Sequence, residues 1–275
     1  MLFKQYDAKL IPLNTHTKGI AEYLYCRNNL HEQEANWFWM ASNIQAISYD
    51  GVRKDDAFMI CRPAFEYEDQ KQDLHSNIVY DLTIFLYVYS GFEAILNASN
   101  HKKCPSSRGK INAAKWYIKT NFSNFQRSLP HYQESIALLR QLIDQKDSVF
   151  QDLIKYLTLD NCTDINGVGI KIVYKIRNLL THGSFLFPQP VGHSYMLPVQ
   201  SEIISLSTRI VLLTKQMVLI ANCQNEFNKI ELWNSEVIDR DENTDCEWEV
   251  GELKFLRSFH LIKNDYYKNQ LLLDI

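Results

Sequence analysis

Apolar residues recur at intervals of three and four positions through most of the chain between residues 76 and 222. This spacing places them on one face of a helix, and it predicts five helical segments. The segments span residues 76–97, 129–145, 148–157, 167–182 and 200–221. Helices of this length with modest connections are typical of an antiparallel helical bundle.

Local residues indicate where several of these helices begin and end. Ser76 is a good N-terminal cap, and Pro130 suits the first turn of the helix that follows it. Gly183, Pro188 and Pro190 come directly after the fourth segment, where they stop a helix. The fourth segment is therefore predicted to end at or just before residue 182.

The two ends of the chain have a less regular pattern. Near the N-terminus, Phe3–Leu13 is typical of a strand and His31–Ile47 of a helix, whereas Glu249–Ile262 partly alternates as a strand does. We therefore predict a mainly α protein, an antiparallel helical bundle with mixed α/β additions at both ends. Its predicted parts are a mixed N-terminal region 1–75, the bundle 76–225 and an acidic C-terminal extension 226–275.

Composition narrows the class of protein. The 275 residues are 46% hydrophobic and 22% charged, which excludes a mostly disordered chain. The six cysteines form no C-x-x-C pair, and the N-terminus has no apolar core of a signal peptide. Charged residues interrupt the two most apolar windows, so we predict a soluble, cytoplasmic protein with no membrane segment. No phosphate-binding loop or convincing metal-ligand spacing is present, and we expect neither cofactor nor metal.

Charge is strongly segregated along the chain although the net charge is only -3. The segment 101–128 has no Asp or Glu and carries aromatic residues among its cations. Cations bind phosphates and aromatic rings stack on unpaired bases, so the segment predicts RNA contact. The expected RNA-binding residues are Lys102, Lys103, Arg108, Lys110, Lys115 and Lys119. The alternative is that the segment is an ordinary solvated loop and helix face whose aromatic side chains pack in the core.

Candidate chemistry lies in the fourth helical segment. At about 100° per residue, its apolar residues form one stripe, and its polar residues take the opposite side. The stripe contains Val168, Ile172, Val173, Ile176, Leu179 and Leu180, and the polar side contains Tyr174, Arg177, Asn178, Thr181 and His182. Arg177 and His182 are thus both predicted to avoid the core.

An arginine and a histidine together can cleave RNA without a metal ion. A guanidinium binds a phosphate through two parallel hydrogen bonds, and an imidazole transfers protons near neutral pH. The C-terminal end of a helix, where His182 is expected, favours the protonated imidazolium. The 2′-hydroxyl of RNA supplies the nucleophile. The same spacing also arises by chance, so a surface arginine and a helix-capping histidine remain the alternative.

The string from Arg177 and Asn178 to His182 and Gly183 resembles the Arg-x4-His signature of the HEPN superfamily. An earlier helix with Glu93 before small and apolar residues is similar to the first long helix of that family. The resemblance covers residues 76–222, a little over half of the chain. It implies a HEPN-like bundle that forms a homodimer, in which two motif helices build one composite cleft.

The resemblance also implies an activity and roles for individual residues. Many HEPN proteins are metal-independent endoribonucleases of toxin–antitoxin, abortive-infection or CRISPR-associated systems. By position, Arg177 would stabilise the scissile phosphate, His182 would act as general base or acid, and Asn178 would orient His182 or the phosphate. Glu93, Tyr174 and Thr181 would support the site. The expected products carry a 2′,3′-cyclic phosphate and a 5′-hydroxyl.

Three readings of the function follow from the resemblance. The first is an RNA-cleaving toxin or anti-phage effector, and the second is a non-catalytic HEPN-like module that binds RNA or protein and dimerises. In the third, a cognate antitoxin or other regulatory protein silences the chain. Ser184 stands where one HEPN branch has a modified tyrosine, so that mode of regulation is not expected here. The acidic extension is either inhibitory toward the basic segment or simply solvated.

Overall fold

The structure is a computed structural model. It describes residues 2–27, 32–48, 61–98, 109–121, 129–144, 150–159, 163–182, 187, 189–190, 199–223, 229–232 and 248–262.

Helices dominate these residues. The helices are α1 (Leu2–Asp7), α2 (Leu13–Cys26), α3 (Glu32–Asn43), α4 (Arg62–Ala98), α5 (Lys110–Asn121), α6 (Tyr132–Ile143), the 3₁₀ helix Gln151–Tyr156, α7 (Val168–Thr181), α8 (Val199–Asn222) and α9 (Glu252–Ser258). Two short strands, β1 (Lys229–Leu232) and β2 (Trp248–Gly251), pair antiparallel with Lys229 opposite Gly251. The prediction of a mainly α bundle is therefore confirmed at the level of fold class.

Helix α8 is the centre of the core. It contacts α2, α4, α5, α6, α7 and α9, and nearly every side chain from Ile203 to Ile220 is buried. By length and composition it is the one helix among the described residues that could cross a membrane, and 94% of its most apolar window is buried inside the protein. The apolar residues of α8 are thus used for packing against its neighbours.

Helix α4 is longer than the sequence pattern predicts. It starts at Arg62, and Ser76 lies inside it rather than capping it. Pro63 stands in its first turn, where the missing N–H costs nothing because a first-turn amide has no helical partner. The predicted boundary between residues 75 and 76 falls within this continuous helix, so it does not separate two structural units.

The N-terminal region is helical where a mixed α/β fold was predicted. Helix α3 confirms the helix expected over His31–Ile47, but α1 replaces the first part of the strand expected over Phe3–Leu13. The extended backbone there is limited to an isolated bridge between Leu10 and Leu261. Tyr6 and Leu10 are buried in the same core as the bundle, and this tertiary packing decides the local structure.

The C-terminal segment also differs from its prediction. The strand expected over Glu249–Ile262 stops at Gly251, and α9 follows. Phe255, Leu256 and Phe259 have helical spacing, and all three are buried against the core. Glu252 is buried as well and accepts a hydrogen bond from the Tyr23 hydroxyl at 2.5 Å, so this carboxylate is not part of a solvated acidic surface. Residues 233–247, which hold most of the acidic run, lie outside the described residues.

Two helix starts between residues 129 and 157 differ from the pattern. Helix α6 begins at Tyr132 after His131, whose left-handed φ of 59° sets the turn, and Pro130 precedes the helix. The predicted helix 148–157 is instead the short 3₁₀ turn Gln151–Tyr156.

A buried network of polar side chains connects α8 to His16 of α2 and to His260, which follows α9. Arg209 donates to His16 Nδ1 at 2.9 Å and to the Ile11 carbonyl at 2.7 Å. His16 Nε2 lies 2.7 Å from the Gln216 Oε1, and the Gln216 amide donates to His260 Nδ1 at 3.1 Å. All of these hydrogen bonds form when both imidazoles are neutral, because each Nδ1 then accepts a hydrogen bond and each Nε2 donates one, that of His260 to the Pro130 carbonyl at 3.2 Å.

This network predicts a loss of stability in acid. Burial, the Arg209 charge and His260 hold the pKa of His16 well below its usual value of 6.5. Burial lowers the pKa of His260 to about 3. The unfolded chain therefore binds more protons as the pH falls below about 6.5, and each buried imidazole removes about 1.4 kcal/mol of stability per pH unit.

The measurement is the midpoint of urea unfolding between pH 7.5 and pH 4. Asp81 opposes the trend, because burial raises its pKa from 3.8 to about 6 and its contribution falls as the pH rises. Burial also raises the pKa of Glu202, which acts in the same direction as Asp81. Burial of Glu134 is outweighed by its hydrogen bonds from Lys9 and His131, which lower its pKa, so Glu134 acts with the histidines. The two histidines therefore outweigh the opposing carboxylates, and we expect a net decrease of stability toward acid. His260→Gln, which cannot titrate, should reduce the slope. A midpoint that stays constant or rises below pH 6.5 would contradict this account.

Candidate functional site

Helix α7, which carries the predicted motif, is held by its N-terminal end. The Tyr132 hydroxyl donates to the Asn166 carbonyl at 2.6 Å and accepts from the Gly169 N–H at 3.0 Å. The Asp164 carboxylate accepts from the N–H of Gly167 at 2.9 Å, which satisfies a donor at the start of the helix. These bonds hold the N-terminal end of the helix, which precedes the polar motif residues in the chain.

The predicted apolar stripe of α7 is buried over most of its length. Val168, Ile172, Val173 and Ile176 are buried, whereas Leu179 and Leu180 are half-buried. The helix therefore leaves the core gradually toward its C-terminal end. The motif residues lie on this emerging end.

Arg177 is held by three groups. Its side chain is 33% exposed, and Nη2 lies 3.9 Å from Oε2 of Glu93 on α4. Its guanidinium lies 5.8 Å from the centre of the Tyr89 ring, one turn before Glu93. Its Nη1 donates to Oδ1 of Asn178 at 3.2 Å. The guanidinium is therefore oriented and still partly open to solvent.

Glu93 connects two cations. Besides Arg177, its carboxylate forms an ion pair with Lys110 at the start of α5. The side chain of Glu93 is 23% exposed and that of Lys110 is 43% exposed. Glu93 thus lies where its predicted supporting role requires, and Lys110, predicted to bind RNA, also helps to position Glu93.

His182 has different surroundings from Arg177. It follows the last residue of α7 as the C-terminal cap, its side chain is exposed, and its N–H donates to the Asn178 carbonyl at 3.0 Å. Five helical positions correspond to about 140° of rotation. Arg177 is therefore directed toward α4, and His182 lies near the other edge of the polar side.

The remaining predicted site residues have local roles. Asn178 contacts Arg177 with its side chain and His182 only through its backbone carbonyl, so it orients the arginine rather than the imidazole. The Thr181 hydroxyl donates to the Arg177 carbonyl at 2.9 Å. Tyr174 is half-buried, and the Lys175 ammonium lies 5.7 Å from the centre of its ring. None of these residues adds a second proton-transfer group.

The predicted RNA-binding lysines are only partly supported. Lys110 is exposed, and Lys119 is half-buried with its ammonium 5.8 Å from the Trp116 ring. Lys115 is 4% exposed, and we remove it from the set because a buried ammonium does not reach a phosphate in solvent. Lys102, Lys103 and Arg108 lie outside the described residues.

Tyr89 is the site residue that sequence reasoning missed. It is 2% exposed, and its buried hydroxyl has no hydrogen-bond partner among the residues that the structure describes. Burial, followed by the charge of Glu93, raises the pKa of this phenol, which keeps it neutral. Its position four residues before Glu93 was a usable signal, because residues at i and i+4 share one helix face.

The described residues contain no cluster of side chains that could bind a metal ion. Within the ranges that the structure describes, no three His, Cys, Asp or Glu side chains are grouped so that they could hold a metal ion. The candidate site therefore consists of Arg177 with its supports, and of the exposed His182.

No family model, curated protein or solved structure matches this chain.

Proposed function

We propose that the chain is a metal-independent endoribonuclease of HEPN type that acts as a homodimer, in the manner of a toxin or anti-phage effector. The observation that carries the proposal is the end of α7, where an oriented, partly exposed guanidinium and an exposed imidazole come from one helix. Phosphodiester cleavage needs these two groups, one to stabilise charge and one to transfer protons.

The chemical step can be written with residues of two copies of this chain. The neutral imidazole of one His182 takes the proton of the RNA 2′-hydroxyl, and the 2′-oxygen attacks the phosphorus. The bond from phosphorus to the 5′-oxygen breaks, and the protonated His182 of the second copy donates a proton to that oxygen. Arg177 stabilises the charge that develops on the phosphoryl oxygens. The products are a 2′,3′-cyclic phosphate and a 5′-hydroxyl.

The divergence of the two side chains supports a site made by two copies. Because Arg177 and His182 differ by about 140° around α7, one copy directs them to different edges of its polar side. Two copies with their α7 ends together would bring one copy's arginine near the other's histidine. A cleft made by two copies would therefore bring an arginine and a histidine together, whereas a single copy directs them to different edges of the helix.

The test is incubation of the purified protein with total RNA in excess EDTA. We expect cleavage, and we expect the fragments to have cyclic phosphate ends that polynucleotide kinase with 3′-phosphatase activity removes. Strict dependence on a divalent ion, or 5′-phosphate ends, would contradict the proposal.

A second candidate function is a non-catalytic module that binds RNA or a protein partner and dimerises. The contact between Arg177 and Glu93 favours it, because a carboxylate already compensates part of the guanidinium charge. Under this alternative, RNA remains intact in the same assay while the chain still forms dimers.

A further inference from the structure

A second group of cations lies on α7, on the edge away from Glu93. Lys171, Lys175 and His182 follow one another at intervals of four and seven residues. At about 100° per residue, the three directions fall within about 40° of each other. They therefore form one line along the helix that ends at the exposed imidazole.

The 3₁₀ helix Gln151–Tyr156 lies beside this line of cations and contributes further residues. The Lys175 ammonium lies 4.6 Å from the centre of the Tyr156 ring, and the Lys155 ammonium lies 5.5 Å from the centre of the same ring. The Lys171 ammonium donates to the Thr158 carbonyl at 3.2 Å. We call Lys155, Tyr156, Lys171 and Lys175 the lysine–tyrosine strip.

The local charge of the strip is positive. Across residues 150–159 and 163–182 the acidic residues are Asp152 and Asp164. Asp164 directs its carboxylate to backbone N–H groups at the start of α7. The strip lysines are exposed or half-buried, so their charges can be reached from solvent.

We infer that the lysine–tyrosine strip binds the single-stranded flank of an RNA whose scissile phosphate lies at His182. The inference rests on the proposed function and extends it to the path of the substrate. Ammonium groups bind phosphates as point charges, and an aromatic ring beside them offers a face to an unpaired base.

The distance from the strip to His182 fits a strand rather than a single phosphate. From Lys171 to His182 the helix rises about 16 Å, several times the rise of about 3.4 Å per nucleotide in a stacked strand. This surface lies outside the basic segment 101–128 of the sequence, and its residues Lys171 and Lys175 are on the helix that carries the proposed chemistry.

The test is RNA affinity of the full-length chain in a His182→Ala background, which removes cleavage. The probe is a fluorescent oligouridylate of about 20 nucleotides, measured by anisotropy at several salt concentrations. Replacing Lys171 and Lys175 together with Gln should reduce the salt slope by about 1.4, since each lost phosphate contact on a single strand removes about 0.7. At 0.1 M salt this corresponds to an affinity roughly 25-fold weaker.

The matched control is the double substitution Lys4→Gln and Lys18→Gln on α1 and α2. It removes the same charge at a different place, and we expect the salt slope to stay within error. Equal losses in the two double variants would show that only net charge matters, and would overturn the inference. Equal affinity for a duplex RNA of the same length would also overturn it.

The role of the ring is tested separately at Tyr156. Tyr156→Phe keeps the aromatic face and should retain affinity, whereas Tyr156→Leu should weaken it about tenfold if a base stacks there. Equal affinity of the two variants, both folded by circular dichroism, would exclude stacking.

The outcomes separate this inference from the proposed function. If the wild-type chain does not cleave RNA but binds it through Lys171 and Lys175, the strip stands and the nuclease is wrong. If cleavage depends on Arg177 and His182 while the lysine variant matches its control, the nuclease stands and the strip is wrong.

Discussion

Arg177→Ala and His182→Ala are each expected to slow RNA cleavage in EDTA by about 10²- to 10⁴-fold. Loss of a positioned acid or base has an effect of this size, and so does loss of a group that stabilises developing charge. His182 is exposed and Arg177 is partly exposed, so both variants should keep the melting temperature of the wild type. The measurement is single-turnover cleavage of a defined RNA.

Two further variants show whether the effect is specific. Arg177→Lys keeps the charge but loses the two parallel hydrogen bonds, and it should lie between wild type and Arg177→Ala. Arg140→Ala removes an exposed arginine from α6 and should leave cleavage unchanged. Full activity in both alanine variants would exclude the proposed chemistry.

Mixing wild-type and His182→Ala chains tests the composite site. Because the proposed step uses the His182 of both copies, a mixed dimer with one intact His182 should cleave RNA as slowly as the His182→Ala homodimer. Refolding the two chains in equal amounts should then leave about a quarter of the wild-type activity, the share of dimers with two intact copies. Activity of about one half, in dimers shown to be mixed, would place the site within a single chain.

Gly169→Ala is expected to give the largest loss of stability. A Cβ at this position would lie 2.3 Å from the Tyr132 hydroxyl and 2.8 Å from a methyl group of Ile210. Both neighbours are buried, and the Tyr132 hydroxyl accepts a hydrogen bond from the Gly169 N–H. Overpacking of this kind costs about 3 kcal/mol, which lowers the melting temperature by roughly 6–12 °C.

Gly167→Ala is the matched control, two residues earlier. A Cβ there would meet no atom closer than 3.5 Å, and the residue has a φ of -84°, which alanine adopts freely. Because alanine restricts the unfolded chain, we expect stability equal to wild type or about 0.4–1 kcal/mol higher. The measurement is the melting temperature of both variants by calorimetry. A Gly169→Ala chain as stable as Gly167→Ala would contradict the packing described for α7.

Periodicity predicted the parts of the fold that depend on local pattern. Helix α7 lies within one residue of its predicted limits, because a strong apolar stripe and Gly183 both define it. The start of α4 was missed, since Ser76 was interpreted as its N-terminal cap, and part of the strand predicted at the N-terminus became α1. In these places tertiary burial of residues such as Tyr6 overrides a weak local pattern.

The candidate site was predictable as residue types but not as an arrangement. The Arg-x4-His spacing located Arg177 and His182, yet only packing shows that α4 brings Glu93 and Tyr89 to the arginine. The burial of Lys115 could not be predicted from the sequence either, because a lysine within a basic segment is usually solvated. HEPN membership and RNA cleavage remain predictions from the motif.

The central position of α8 has a consequence for synthesis on the ribosome. This 24-residue helix is covered by α2, which is made long before it, and by α9, which is made after it. Contacts between segments so distant along the chain form slowly. A long apolar helix therefore stays without its last cover until α9 has been made, and during that interval the nascent chain depends on chaperones more than a bundle with local contacts does.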